Sequence, residues 1–437
     1  MFESISFSIS PMTILVISFT VFLVLRMPLA FAIGISSVLF FLADGSSSFI
    51  IPIQKMVVAS QNPALLAVPF FVFAGNLMNA AGITQRLIVF CSTITAHLAG
   101  GLGHVTVLLS AIMGGVSGSA VADVGMQSKI LGPSMLKANY SKGFAAASIG
   151  LSGLITATIP PSIGLILYGY VGGVSIGRLF LAGIIPGILM TIFLMYTVSI
   201  IAKKRGYVAS QKKAAPAKKI ISTFLQCFWA ILFPILLIVT IRFGIFTPSE
   251  AGSFAVFYAM FIGLFVYKEL TWNKIIEVLK QTVIDNAVIM LIISFSSIFG
   301  FIIVDNQVPQ TLSQGILGIS TEKYFLLISI LLFLALIGMF MEATVNVLLL
   351  TPIFLPIVQS VGVDPVHFGI LMMTIVTLGG MTPPVGVAMF TACSILDCPT
   401  KDYIKESVPF LIAIFILLAL LTIFPDLVLF LPNAVYD

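Results

Sequence analysis

Apolar stretches close to the roughly 20 residues that a helix needs to cross a bilayer recur along the whole chain. Their apolar residues run on without alternation, so each reads as a helix. Hydrophobic residues make up 59% of the chain and charged residues 8%, against about 25% charged in soluble domains. The fold class expected is an all-α integral membrane protein. The start, "MFESISFSISPM", has no basic region or small-residue cleavage site and is not read as a cleaved signal. Cys91, Cys227, Cys393 and Cys398 form no CxxC and read as reduced packing residues. His97, His104 and His367 lack metal-ligand spacing. No organic cofactor and no nucleic acid are expected.

Ten crossings are read near 12–25, 28–43, 64–80, 143–171, 179–202, 221–242, 249–267, 285–304, 366–396 and 406–432. The fourth and ninth are too long for straight helices, and each holds a Pro-Pro pair. The stretches 104–136 and 324–360 carry polar residues at their centres and read as re-entrant hairpins. Such backbone survives at membrane depth only when buried in protein or lining a wet cavity. Residues 270–282 are amphipathic and read as a separate interfacial helix, with 47–60 as an external counterpart. Asp285–Asn286 reads as a helix cap.

The loop 203–219, "KKRGYVASQKKAAPAKK", has seven basic residues and no acid, which marks it as cytoplasmic. Counting crossings outward puts Arg26, Arg86, Lys129, Lys137, Lys142, Lys268, Lys274, Lys280, Lys401 and Lys405 on the same side. Lys55, Arg178, Arg242 and Lys323 fall outside, as do both termini.

The two long crossings share a pattern, "TATIPPSIG" at 156–164 and "GGMTPPVGV" at 379–387. Setting Pro160 on Pro383 gives an offset of 223, which also sets Gly115 on Gly338, Pro133 on Pro356 and Pro186 on Pro409. Each half then holds five crossings and one hairpin. Five is odd, so the halves are inverted. Inverted repeats with paired broken helices mark secondary transporters.

At this offset "SGSAVAD" (117–123) falls on "FMEATVN" (340–346). A proline lacks an N–H and its ring blocks the carbonyl one turn back, so carbonyls before each Pro-Pro are free. Side-chain oxygens of Ser119, Asp123, Thr156 and Thr158 stand to join them, as do Thr344, Asn346, Thr377 and Thr382. Hard oxygen ligands beside unwound carbonyls suit Na⁺, and half-helix N-termini favour an anion next to it. An intramembrane acid is expensive and usually functional. The plainer reading makes Ser119 and Asp123 caps of the second hairpin helix, with glycines and serines serving close packing. Glu342 replaces Ser119 in the repeat and reads as a counter-charge, a proton site or a tip residue facing outward. An enzyme is the competing class: "GVSG" (115–118) matches the GxSG pattern of intramembrane serine proteases, but none of the three histidines falls at mid-membrane to activate Ser117. A channel is the other alternative, though it has no need of two inverted hairpins.

"VPFFVFAGNLM" (68–78), "GGVSGSAVADVG" (114–125), "ATIPPSIGLILYG" (157–169) and "GGMTPPVGVAMF" (379–390) resemble the large membrane subunit of TRAP transporters, in the DctM-like, ion-transporter-like group. The resemblance covers essentially the whole chain. It implies a partner subunit with four membrane helices, expected as a separate chain, and a soluble periplasmic binding protein that delivers an organic acid. It implies import across the bacterial inner membrane driven by Na⁺, through an elevator in which a transport domain slides against a scaffold. The implied division is 1–63 scaffold, 64–171 first transport half, 172–284 scaffold, 285–396 second transport half and 397–437 C-terminal scaffold. The family's sodium sites map onto Ser119 and Asp123 with the Thr156, Thr158 and Pro160 break. The second maps onto Gly338, Met341, Ala343, Thr344 and Asn346 with Thr377, Gly379, Met381 and Thr382. Substrate contacts are expected at Ser117, Ser119, Asp123, Thr158, Pro161 and Thr382. Overall likeness favours sialic acid as cargo, with C4-dicarboxylate as the alternative.

Overall fold

A computed structural model describes residues 10–25, 27–45, 48, 50–209, 211, 213–317 and 322–436. Arg26, residues 1–9, and Ser210 and Lys212 of the basic loop lie outside the described residues.

The described chain is helical. The first half runs α1 Pro11–Val24, α2 Leu29–Asp44, α3 Ile50–Ser60, α4 Ala67–Ala80, α5 Ile83–Thr95, α6 Gly101–Ser117, α7 Ala120–Ile130, α8 Gly132–Lys137, α9 Lys142–Thr158, α10 Ile163–Gly172 and α11 Ile176–Arg205. The second runs α12 Ala217–Arg242, α13 Pro248–Phe261, α14 Trp272–Asp305, α15 Val308–Leu317, α16 Lys323–Gly338, α17 Ala343–Ser360, α18 Pro365–Gly379, α19 Val387–Ile395, α20 Thr400–Ile423 and α21 Asp426–Tyr436. Seven of these are long and apolar enough to cross a bilayer, or eight if the pair α9–α10, bent by 44°, is one span. The chain is a multi-pass membrane protein.

The offset of 223 carries through the helix bounds. Shifted by it, α6 (101–117) becomes 324–340, beside α16; α9 (142–158) becomes 365–381, beside α18; and α10 (163–172) becomes 386–395, beside α19. The repeat also explains two helices that the hydropathy reading missed. α5 (83–95) becomes 306–318, the place of α15. Both are too short to announce themselves as crossings.

Several expectations are corrected. The amphipathic 270–282 segment is not a separate helix but the first third of the 34-residue α14. No Gly or Pro interrupts that helix before Gly300, so nothing stops it. Asp285 is therefore no cap. It lies within α14, accepting from Gln281 Nε2 at 2.8 Å and from Asn76 Nδ2 of α4 at 3.3 Å. The tenth crossing divides into α20 and α21 around Phe424–Pro425. α1 and α2, at 14 and 16 residues, are shorter than a full crossing.

Hairpins and broken helices pack on one another: α6 and α7 on α9, α16 and α17 on α18, α19 on α7, and α18 on α9. α11 and α20 pack along α9 as well, which joins them to this layer. Small residues allow it. A Cβ at Gly183 would meet the Thr158 carbonyl, one at Gly187 the Ile159 side chain, and one at Gly150 the Tyr403 ring. At the end carrying the basic loop, Arg205 Nη2 pairs with Glu406 Oε2 at 2.5 Å and Lys142 Nζ with Asp397 Oδ2 at 2.8 Å. The Lys142 hydrogen bond and charge hold the exposed Asp397 carboxyl below the usual carboxylate range.

Gly338 of α16 lies against Gly379 of α18, backbone on backbone. A methyl at 379 would overlap the Gly338 main chain, which has no flexible end to yield. Gly379→Ala should cost about 1–3 kcal/mol, read as a lower melting temperature in detergent. Gly125→Ala, whose Cβ meets only Thr391 Cγ2 at 3.6 Å, should be neutral or stabilising. Equal melting temperatures for the two variants would remove the Gly–Gly contact from the account.

Candidate ion and substrate site

The first hairpin turns at Gly118, whose φ of 60° lies in the left-handed region that glycine enters without steric cost. Its missing Cβ leaves room for the Pro161 carbonyl. Tip and broken helix thus meet at the Pro-Pro pair. Ser119 caps α7, its Oγ accepting from Ala122 N at 3.4 Å. Ser162 caps α10 across the break. The second tip is Met339–Glu342, with Glu342 at the N-cap position of α17. The second break, Gly380–Gly386, lies between α18 and α19. Both Pro-Pro peptide bonds are cis.

Asp123 is not a cap. Its backbone N–H bonds the Ser119 carbonyl one turn back, and its side chain is 1% exposed. Oδ2 accepts from Ser110 Oγ at 2.7 Å, Thr156 Oγ1 at 2.7 Å and Gln127 Nε2 at 2.9 Å. Gln127 also reaches Ser110 Oγ at 2.7 Å, and Ser110 reaches Ser152 Oγ at 3.1 Å. The network ties both arms of the hairpin to the broken helix. All three donors converge on one oxygen, and Oδ1 has no partner.

Asn346 sits 223 residues on from Asp123, fully buried. Its Nδ2 donates to the carbonyls of Met341 at 3.0 Å and Glu342 at 3.3 Å. Its Oδ1 is also without a partner. The Glu342 carboxylate accepts from Thr344 Oγ1.

Both tips face one cavity of about 310 Å³. Gly118–Val121 and Glu342–Thr344 line it, with Ala157, Ile163 and Gly164 from the first broken helix and Thr377, Gly380 and Met381 from the second. Val288, Ile289 and Ile292 of α14 close one side. Of the expected substrate contacts, Ser119 is on the wall. Ser117, Asp123, Thr158, Pro161 and Thr382 do not line it. Of the expected ion ligands, Ser119, Ala343, Thr344, Thr377 and Met381 are on the wall, whereas Thr156, Pro160, Gly338, Met341, Asn346 and Gly379 are not. Thr158, Thr377 and Thr382 donate to carbonyls of their own turns, which leaves hydroxyl lone pairs for a further contact. The Met381 carbonyl already accepts from Tyr403 Oη at 2.9 Å.

Ser110, Gln127, Ser152 and Tyr403 were not singled out from the sequence. Gln127 had a legible signal, since it stands one turn from Asp123. The GxSG serine does not meet a histidine. Ser117 Oγ is buried without a partner, His104 bonds Ser199 Oγ at 3.3 Å, and His367 bonds the Leu421 carbonyl at 2.8 Å.

The comparisons with known proteins agree with this architecture. Residues 16–427 match the model of the tripartite ATP-independent periplasmic transporter, DctM component. The chain belongs to this family. It is thus a TRAP transporter large permease, of a family of transporters rather than enzymes and one component of a tripartite system. It is 39% identical to the sialic acid TRAP transporter large permease of Vibrio cholerae, over 93% of this chain and 95% of that protein. It is 32% identical to the C4-dicarboxylate TRAP transporter large permease of Pseudomonas aeruginosa, over 92% of each. It is 34% identical to the isethionate TRAP transporter permease of Oleidesulfovibrio alaskensis, over 97% of this chain and 66% of that protein. In fold it is similar to the Alcanivorax borkumensis YdaH transporter, with a TM-score of 0.60 at 13% identity over 94% of this chain and 98% of that one.

Thr156→Val keeps the shape and removes the hydroxyl between Asp123 Oδ2 and the Ser110 carbonyl (3.1 Å). A hydrogen bond to a charged or buried acceptor is worth about 1–3 kcal/mol. The valine variant should melt below wild type, and Thr156→Ser should recover most of the loss. A valine variant as stable as wild type would show the network to be incidental.

Proposed function

We propose that this permease couples the inward movement of an organic acid to Na⁺. The observation that carries the reading is the pair of orphaned oxygens, Asp123 Oδ1 and Asn346 Oδ1. They are buried and occupy the same place in the two inverted repeats. An oxygen buried without a partner costs free energy, and a cation would satisfy it. Unwound carbonyls next to each Pro-Pro pair supply further hard ligands. Two sites follow: Asp123 with Ser119, Thr156 and the first break, and Asn346 with Thr344 and the second. Thr377 and Thr382 complete the latter.

The cargo enters the cavity between the tips, where the α7 and α17 N-termini favour a carboxylate. Sialic acid is the cargo we favour, from the likeness to the Vibrio cholerae permease. The likeness to the C4-dicarboxylate permease carries the alternative. The moving body comprises the hairpins and broken helices. The packing of α11 and α20 along α9 argues for including them, so that α1, α2, α12 and α13 form the frame with α3 and α14. This redraws the scaffold boundaries expected from the sequence at 172–284 and 397–437. The membrane is the bacterial inner membrane, with the basic loop cytoplasmic and both termini periplasmic. A separate four-helix subunit and a periplasmic binding protein complete the system.

The test is thermal stability in detergent against NaCl, with KCl and choline chloride at matched ionic strength. Binding only to the folded state stabilises by about 2.7 kcal/mol at a hundredfold excess over Kd. A saturable gain specific to Na⁺ is expected, reduced in both Asp123→Ala and Asn346→Ala. Identical melting curves in the three salts would count against Na⁺ coupling. Asp123→Ala should also abolish uptake while leaving the protein in the membrane.

A further inference from the structure

A second cavity, of about 390 Å³, adjoins the central one. Leu348 is in the wall of both, and Ile292 of the central wall is followed directly by Ile293 of the second. Among the described residues, Lys55 of α3 is the one charged residue lining it. Its Nζ stands 4.4 Å from the centroid of the Phe301 ring, a cation–π contact that favours its place at the cavity. No acid is paired with it among the described residues. Ser296 Oγ, from a residue 4% exposed, is on the same wall without a partner. Ser297 Oγ is engaged, donating to the Lys55 carbonyl at 3.2 Å. A lone cation on a largely apolar wall favours anions over cations.

The repeat-related place holds a different cavity, of about 600 Å³, between α4 and the start of α14. There Val278 stands where Lys55 would fall, 223 residues on. Lys274, Glu277 and Lys280 mix the signs, and that cavity shares no lining residue with the central one. The two inverted halves thus build one chamber at each end of α14, and only the Lys55 chamber has a lone cation and a common wall with the transport cavity.

We infer that the Lys55 chamber is an anion-binding antechamber. It takes the carboxylate of the transported acid before the acid passes Leu348, with Lys55 Nζ as counter-charge and Ser296 Oγ as hydrogen-bond donor. The identity of the anion rests on the organic-acid reading above; the selectivity of the chamber for anions does not.

The first test needs no transport. In the full chain bearing Ser297→Cys, an anionic methanethiosulfonate (the sulfonatoethyl reagent) should react about tenfold faster, relative to its cationic trimethylammonium counterpart, than it does when Lys55→Ala is added. The ratio cancels changes in thiol reactivity. The four native cysteines are buried, and their background is measured in wild type. An unchanged ratio overturns the antechamber. The second test is Na⁺-driven uptake of labelled N-acetylneuraminate, and of succinate, in proteoliposomes with the partner subunit and binding protein. Lys55→Ala should raise KM about tenfold with Vmax within twofold, and Lys55→Arg should restore KM. A fall in Vmax at constant KM would make Lys55 structural. A KM effect that vanishes in vesicles without anionic lipid would assign the chamber to a headgroup. If wild type moves neither acid, the transport reading fails for these cargoes while the thiol ratio still decides on the chamber.

Discussion

Backbone in a membrane interior that stops being helical must be buried in protein or line a wet cavity, and this fold depends on how that is arranged. The breaks at Pro160–Pro161 and Pro383–Pro384 expose carbonyls that lipid cannot satisfy. The first is covered by its hairpin tip, with Pro160 and Pro161 buried, while the second lies beside a hairpin arm and leaves Pro384 and Val385 exposed; at both, the hairpin contact is close because glycines stand at it. Gly118 lies under the Pro161 carbonyl, and Gly338 lies on Gly379. The same glycines make hairpin and broken helix one body, which is why the two tips can frame a cavity at all. Side chains alone would hold them further apart, and the free carbonyls would have no protein neighbour.

Asp123 is tied through one oxygen to three donors from three parts of the chain. The other oxygen is left over. Had the carboxylate been purely structural, a donor for Oδ1 would be expected, since buried polar atoms are ordinarily paired. Asn346 stands at the repeat-related place with a neutral side chain and likewise leaves Oδ1 without a partner, but its amide donates to backbone carbonyls instead of accepting from side chains.

Much of the fold was legible because apolar run length is a strong signal in a membrane chain. The hairpins and breaks were legible because Gly-rich and Pro-Pro segments have few other reasons to interrupt such runs. α5 and α15 were not, at 13 and 10 residues, and only the repeat makes them obvious. The unity of α14 was hidden by its change from an amphipathic to an apolar face pattern, which imitates two helices. At the site, Asp123, Thr156 and Asn346 could be named from the sequence because acids, amides and proline-adjacent hydroxyls stand out in hydrocarbon. Ser110 and Ser152 could not, because a serine inside a membrane helix ordinarily satisfies itself on its own turn.

The unbroken α14 has a mechanical meaning. At 1.5 Å per residue its 34 residues span about 51 Å, whereas the matching stretch of the first half is divided into α3, a short 3₁₀ turn and α4. One half of the repeat is therefore articulated and the other is a rod. Trp272 at the head of the rod is largely exposed, and Val288, Ile289 and Ile292 on its shaft close the central cavity. Head and cavity wall belong to one unbroken helix, so a displacement of Trp272 along the helix axis is carried to that wall.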